Sequence, residues 1–134
     1  MFMKYYLSAF QNFYKLTGRT TRKEFWIFVL IHLLVIVLSN VIDEALGLTG
    51  YDYDLGPFYL AYMFITFLPG LSISVRRLHD VNKSGWYLLL NFIPTFGTII
   101  LLIFFARGGS HGINNYGEDP YGRKSNFFKS YYSI

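Results

Sequence analysis

The densest concentration of chemistry-bearing side chains is Arg76-Arg77-Leu78-His79-Asp80, which continues through Val81-Asn82-Lys83 to Ser84-Gly85-Trp86. Two adjacent guanidiniums, an imidazole and a carboxylate can make an anion site. The planar fork of arginine grips a phosphate through two parallel hydrogen bonds, and Asp80 would hold one guanidinium in place. The other reading is a basic loop at a membrane face, where Asp80 neutralises a neighbouring arginine and nothing is bound. A second arginine pair, Arg19 and Arg22, precedes the first long apolar run and lies close to Glu24. Glu24 either closes a helix cap or pairs with an arginine of the 76–77 loop.

Other chemistries fit less well. The 134 residues include no cysteine, which excludes disulfides, thiolate zinc sites, iron–sulfur clusters and cysteine nucleophiles. A metal site would need His79, Asp80, His111, Glu118 and Asp119 to converge, and none stands in an H-E-x-x-H frame. Ser84 and Ser110 lack the G-x-S-x-G elbow of a serine hydrolase, and Gly108-Gly109-Ser110-His111-Gly112 lacks the G-K-[ST] of a phosphate loop. No catalytic residue, metal or cofactor is therefore expected, nor is an enzyme. A net charge of +4 is too weak to argue for nucleic acid.

The elements that would position these side chains are membrane helices. The chain is 53% hydrophobic, 21% aromatic and 15% charged, with a mean hydropathy of +0.32. A water-soluble domain of this size has too little interior to hide that much apolar surface. Three stretches carry no charge: residues 25–42, 58–75 and 86–105. As helices they would be about 27 to 30 Å long, the thickness of a bilayer core, and none keeps a polar stripe at helical spacing. The first is too long and starts too late for a secretion signal, so a retained helix is expected. His32 is the titratable group inside it, either a functional hint or a neutral imidazole bonded to a neighbouring helix.

Local punctuation sets the boundaries. Phe2, Tyr6, Ala9, Phe10, Phe13 and Leu16 recur at spacings of three and four, against Lys4, Ser8, Gln11, Asn12 and Lys15. That pattern predicts an amphipathic helix over 2–16, lying in the membrane interface or packing on the protein's own helices, and ended by Gly18. Thr21 and Glu24 form a T-x-x-E capping box that starts the first span near Arg22. Gly56-Pro57 suits the first turn of the second helix, Pro69-Gly70 interrupts its middle, and Ser84-Gly85 opens the third segment. The expected fold is all-α and polytopic: one membrane domain over 1–120, with an interfacial helix, about three transmembrane helices and a Gly-rich loop at 106–122. A basic, aromatic tail covers 123–134.

Charge placement gives an orientation. Lys4, Lys15, Arg19, Arg22 and Lys23 precede the first span, and Arg76, Arg77 and Lys83 follow the second. The loop between them holds Asp43, Glu44, Asp52 and Asp54 with no basic residue. The positive-inside rule then places the amino terminus in the cytoplasm and the acidic loop outside. Arg107, Arg123, Lys124 and Lys129 lie outside if 86–105 spans, and inside if it folds back at Pro94–Gly97. Three spans are the expectation, since a re-entrant turn needs protein or water around its freed backbone groups.

Gly18-Arg19-Thr20-Thr21-Arg22-Lys23-Glu24-Phe25-Trp26 resembles the G-R-x-x-R-x-E-[FY]-W opening of the bacterial inner-membrane family catalogued as domain of unknown function 805. Arg76-Arg77-Leu78-His79-Asp80 with Ser84-Gly85-Trp86 resembles its R-R-L-H-D…S-G-W signature. Pro94 and Gly97 match its third-helix pattern. Gly109, Gly112, Asn114, Tyr116, Gly117, Asp119 and Pro120 are similar to its closing G-x-x-G-x-N-x-[YF]-G-x-D-P. The resemblance runs from Lys4 to Pro120. It departs at Asn82-Lys83, where the family often has a glycine and a basic residue. It implies a multi-pass inner-membrane protein of a few helices and no particular activity, and it adds Ser84, Trp86, Asn114, Gly117 and Asp119 as loop-motif residues.

The functional expectation is a non-enzymatic protein that helps assemble or regulate a partner. Its anion or lipid-headgroup contact is expected at Arg19, Arg22, Glu24, Arg76, Arg77, His79 and Asp80. Expected partners are membrane lipids, anionic phospholipid first, and another membrane protein or further copies of the chain. The competing readings are a small oligomeric transporter or channel subunit, with discontinuous helices at Pro69-Gly70 and Pro94–Gly97, and a lipid-active enzyme.

Overall fold

The computed structural model describes residues 1–50 and 55–123; Asp52, Asp54, Lys124 and Lys129 lie outside them. The described residues form helices α1 (Phe2–Gln11), α2 (Arg22–Ala45) and α3 (Pro57–Asp80), a 3-10 helix (Gly85–Phe92) and α4 (Phe96–Ala106). Among them there is no strand, only one isolated bridge between Asn114 and Gly117. Helices α2 and α3 form a long antiparallel pair. Helix α1 packs on both, and the 3-10 helix and α4 pack on the opposite flank.

α2 starts where the capping box predicts. Thr21 Oγ1 accepts from Glu24 N at 3.2 Å, and Glu24 Oε2 accepts from Thr21 N at 3.0 Å. Its far end is joined to α3 by a residue that sequence reasoning treated only as loop charge. Asp43 is fully buried, and its carboxylate accepts from Phe58 N (3.1 Å) and Tyr59 N (2.8 Å). It thus satisfies donors that the first turn of α3 leaves free. Both helices are longer than 25–42 and 58–75, and Pro69 lies inside α3 without ending it. Each has 24 residues, about 36 Å, and each exposes a belt of large apolar side chains. On α2, Leu30 is 65% exposed and Leu34, Val37 and Val41 more than half. A soluble protein's core helix would bury these; a lipid-facing helix presents them.

The amphipathic first helix is present but ends at Gln11 rather than 16. Asn12 caps it through Nδ2–H to Ser8 O at 2.7 Å, and Ser72 Oγ then bonds the carbonyls of Asn12 and Lys15, fixing a turn. Tyr6 and Ala9 face inward; the Tyr6 ring stacks on Phe28 with centroids 5.5 Å apart. The Tyr6 hydroxyl meets the Tyr62 hydroxyl at 2.7 Å, and Tyr62 lies 2.9 Å from His32 Nδ1. His32 therefore bonds a neighbouring helix.

Where a third span was expected, segment 86–105 is not one continuous helix: a 3-10 helix and the shorter apolar α4 fold back on each other, beside two helices long and apolar enough to cross a membrane. The 3-10 helix and α4 are each about 16 Å long and pack on each other, with Gly97 against the Leu90 carbonyl. Gly85 lies against Val75 near the end of α3, while Trp26 and Arg77 bond the Phe105 carbonyl. Both ends of the segment thus return to the Asp80 end of the bundle, and its tip reaches about halfway along α2. Pro94 cannot continue the first leg, and Thr95 turns the chain with φ +69°. At this turn Gly97 is buried, while residues 91–96 are exposed.

Candidate functional site

The three sequence motifs meet at the Asp80 end of the bundle. Asp80 is the last residue of α3, fully buried, and its carboxylate lies between two arginines. Arg19 Nε donates to Asp80 Oδ1 at 3.0 Å, and Arg77 Nη1 pairs with Asp80 Oδ2 one helical turn back. The other N–H groups of both arginines turn to backbone carbonyls. Arg19 donates to Gly112 O (2.7 Å), Gly117 O (3.4 Å) and Ser110 O. Arg77 donates to Phe105 O at 3.2 and 3.1 Å and to Arg107 O, capping the carboxyl end of α4, where free carbonyls attract a cation. Both guanidiniums are buried and internally satisfied. This corrects the expectation of a paired Arg76–Arg77 fork: Arg77 points inward and is not presented to a ligand.

The Gly-rich stretch after α4 is a strap across this end. Ser110 N and Oγ bond the Asp80 carbonyl at 2.8 and 3.2 Å. Asn114 Nδ2 donates to His79 O and Ser110 Oγ, both at 2.8 Å. The His79 ring stacks on Tyr116 at 3.9 Å, and His79 Nδ1 lies 3.1 Å from Gly18 O. A carbonyl only accepts, so Nδ1 carries the proton. The Gly117 carbonyl accepts from Asn114 N at 3.0 Å, closing the tight turn. Asp119 anchors the strap's far side through Gly112 N, Tyr121 N and Arg123. Burial pushes the Asp119 carboxyl up, but the Arg123 guanidinium and the two backbone donors outweigh it and bring it down to about 2.

The remaining candidates divide. Arg22 is exposed and donates to Ala106 O at 3.3 Å. Ser84 opens the 3-10 helix by accepting from Trp86 N, and the Trp86 side chain faces outward, 78% exposed, away from the cluster. Arg76 departs most from Arg77. Its backbone carbonyl accepts from Thr20 N at 3.1 Å, but its side chain runs to the other face of α3. There it lines a polar hollow of about 90 Å³ with Tyr5, Ser8, Thr20 and Glu24, and its Nε is buried with no hydrogen-bond partner. A second hollow, of about 560 Å³ and mostly apolar, opens between α2, α3 and the folded-back pair, with His32 and Asn91 on its wall.

Sequence reasoning missed Ser110, Gly112, Trp26 and Asp43 as structural contacts. Ser110 and Gly112 stood in the Gly-rich run, but nothing in their spacing named Asp80 or Asp119 as partner.

The family described as "Protein of unknown function (DUF805)" matches residues 13–118. The chain is 43% identical over 118 residues to "Inner membrane protein YhaI" of Escherichia coli (strain K12), covering 88% of this chain and 96% of that protein. It is 34% identical to "Inner membrane protein YhaH" of the same strain, covering 88% and 97%. No solved structure matches it.

Proposed function

The chain belongs to the DUF805 family, and from that premise we propose that it is a non-enzymatic inner-membrane protein that holds a phosphate-bearing headgroup at Arg76 while helping to assemble or regulate a membrane partner. The observation that carries this reading is the division of labour among the arginines. Arg19 and Arg77 are bound to Asp80 and backbone carbonyls, whereas Arg76 faces an open polar hollow with Nε unbonded. A desolvated donor costs stability until something accepts from it, and a phosphate oxygen at headgroup depth would do so. The fold-back supports an orientation too: Arg107 and Arg123 lie at the same end as Arg19 and Arg22, so the positive-inside rule puts that end, with the amino terminus, in the cytoplasm. The outer face of α1, with Phe2 and Leu7 exposed, would lie in the interface.

The test is lipid retention in native mass spectrometry after mild detergent extraction. The parent is expected to keep phospholipid, and Arg76→Gln to lose it at unchanged membrane yield. Retention equal to the parent in both Arg76→Gln and Arg76→Lys would overturn the reading.

A second reading has its own support. The 560 Å³ cleft beside the mid-depth break at Pro94 has the form of a transport site between discontinuous helices, and would need several copies to complete a path. A monomeric mass in detergent and no flux from loaded vesicles would dismiss it.

A further inference from the structure

The hollow at Arg76 carries a second charge. Glu24 lies on its wall, in the first turn of α2, and Arg76 comes to it from near the end of α3. Glu24 Oε2 accepts both bonds from Thr21 (3.0 Å each), and Oε1 has no hydrogen-bond partner among the described residues. Glu24 and Arg76 do not form an ion pair with each other among those residues. Two unlike charges thus face one small cavity without touching. Left to themselves at this depth they would close on each other, because attraction between unlike charges rises as water is excluded. The capping box holds Glu24 on its side of the hollow.

We infer that this hollow takes a zwitterionic aminophosphate headgroup, phosphate on Arg76 and primary ammonium on Glu24. The inference rests on the Arg76 reading above and narrows it. A purely anionic headgroup would satisfy Arg76 but meet Glu24 as a like charge. A headgroup bearing both charges satisfies each wall, and Tyr5, Ser8 and Thr20 add hydroxyls around it. The volume, about 90 Å³, admits a small headgroup or several waters. Arg19 also lines the hollow, but its guanidinium is committed to Asp80 and the strap, and the Lys23 ammonium sits 5.8 Å over the Tyr5 ring at the rim. The selective element is the carboxylate: it accepts strong charge-assisted bonds from an N–H donor, and a quaternary ammonium has none to give.

The experiment presents the detergent-solubilised full chain with equal phosphatidylethanolamine and phosphatidylglycerol and reads bound lipid by native mass spectrometry. The parent should retain the ethanolamine lipid by about tenfold, the size of one charge-assisted bond. Glu24→Gln keeps the cap, since glutamine also serves there, and should lose that preference while still binding. Arg76→Gln should lose both lipids. Soluble phosphoethanolamine should displace the ethanolamine lipid better than phosphocholine does, which separates recognition of the headgroup from attachment by the acyl chains. A parent that prefers phosphatidylglycerol, a Glu24→Gln that keeps the parent's preference, or equal displacement by the two soluble compounds overturns the inference and leaves the Arg76 contact standing. Parent-like retention of both lipids by Arg76→Gln overturns the Arg76 contact itself.

Discussion

Gly109 lies so close to Asp80 that a Cβ at position 109 would stand 2.2 Å from Asp80 Oδ2. The strap crosses the end of α3 at backbone contact with the buried carboxylate, and only a residue without a side chain can make that crossing. Gly109→Ala should therefore push Asp80 off its two arginines, at a cost of about 3 kcal/mol or more. A Cβ at the neighbouring Gly108 would meet nothing within 4 Å, so Gly108→Ala should change stability by less than about 0.5 kcal/mol. Thermal midpoints of the two variants in detergent decide it, and equal midpoints would mean that the strap does not rest on Asp80.

Asp80→Asn separates a knot from a binding site. From the sequence, Asp80 reads as the carboxylate that holds one guanidinium of an anion site in place. The structure buries Asp80 completely between Arg19 and Arg77, and removing one partner from such a cluster leaves buried charge uncompensated, at about 3–5 kcal/mol. The expected outcome is a large loss of folded yield, with Arg76→Gln close to the parent. An Asp80→Asn protein as stable as the parent would show that the knot contributes little.

Asp119 gives the strap a pH dependence of known sign. Its folded pKa of about 2 lies below the ordinary carboxylate value of about 3.9. The ionised form is therefore the one stabilised by folding. That contribution is complete above about pH 4 and is lost as pH falls through the folded value. Comparing the parent with Asp119→Asn across pH 2 to 6 should show a stability gap that is constant at the upper end and shrinks toward pH 2. A gap independent of pH would mean that the Arg123 and backbone contacts do not depend on the carboxylate charge.

The start of α2 was legible because a capping box is a local device: Thr21 and Glu24 need only each other. The convergence of motifs was visible as a coincidence of polar residues at one membrane face, but the roles within it were not. With the second helix ended at 75, Arg76 and Arg77 read as a loop pair able to grip one anion. Continued to Asp80, the helix turns adjacent residues away from each other and brings residues three apart together. Arg77 then meets Asp80, and Arg76 faces the other side. Segment 86–105 was ambiguous for a different reason. Hydropathy measures how well a side chain suits lipid, and a fold-back suits lipid as well as a span does. What decides between them is the tight approach of Gly97 to Leu90 and the capture of Phe105 by Arg77, contacts that no window average contains. Asp43 was hidden by the same limit, since a loop charge and a buried cap have the same letter.

The fold-back makes a prediction about sidedness that three spans do not. The chain has no cysteine, so single cysteines report position without background. Thr49 follows the far end of α2, Lys83 follows α3, and Ile113 is an exposed strap residue, 77% accessible, beyond α4. With the Asp80 end in the cytoplasm, Thr49→Cys should react with an impermeant maleimide on spheroplasts, while Lys83→Cys and Ile113→Cys should react only after lysis. A spanning third segment would put Ile113 with Thr49 instead. Gly97→Ala provides the second arm, because its Cβ would fall 1.7 Å from the Leu90 carbonyl and force the two legs apart. With Gly97 replaced, the Ile113→Cys site should lose its protected state or the protein should fail to accumulate. Labelling of Ile113→Cys from outside in the parent background would restore three spans, and the strap could then no longer reach Arg19.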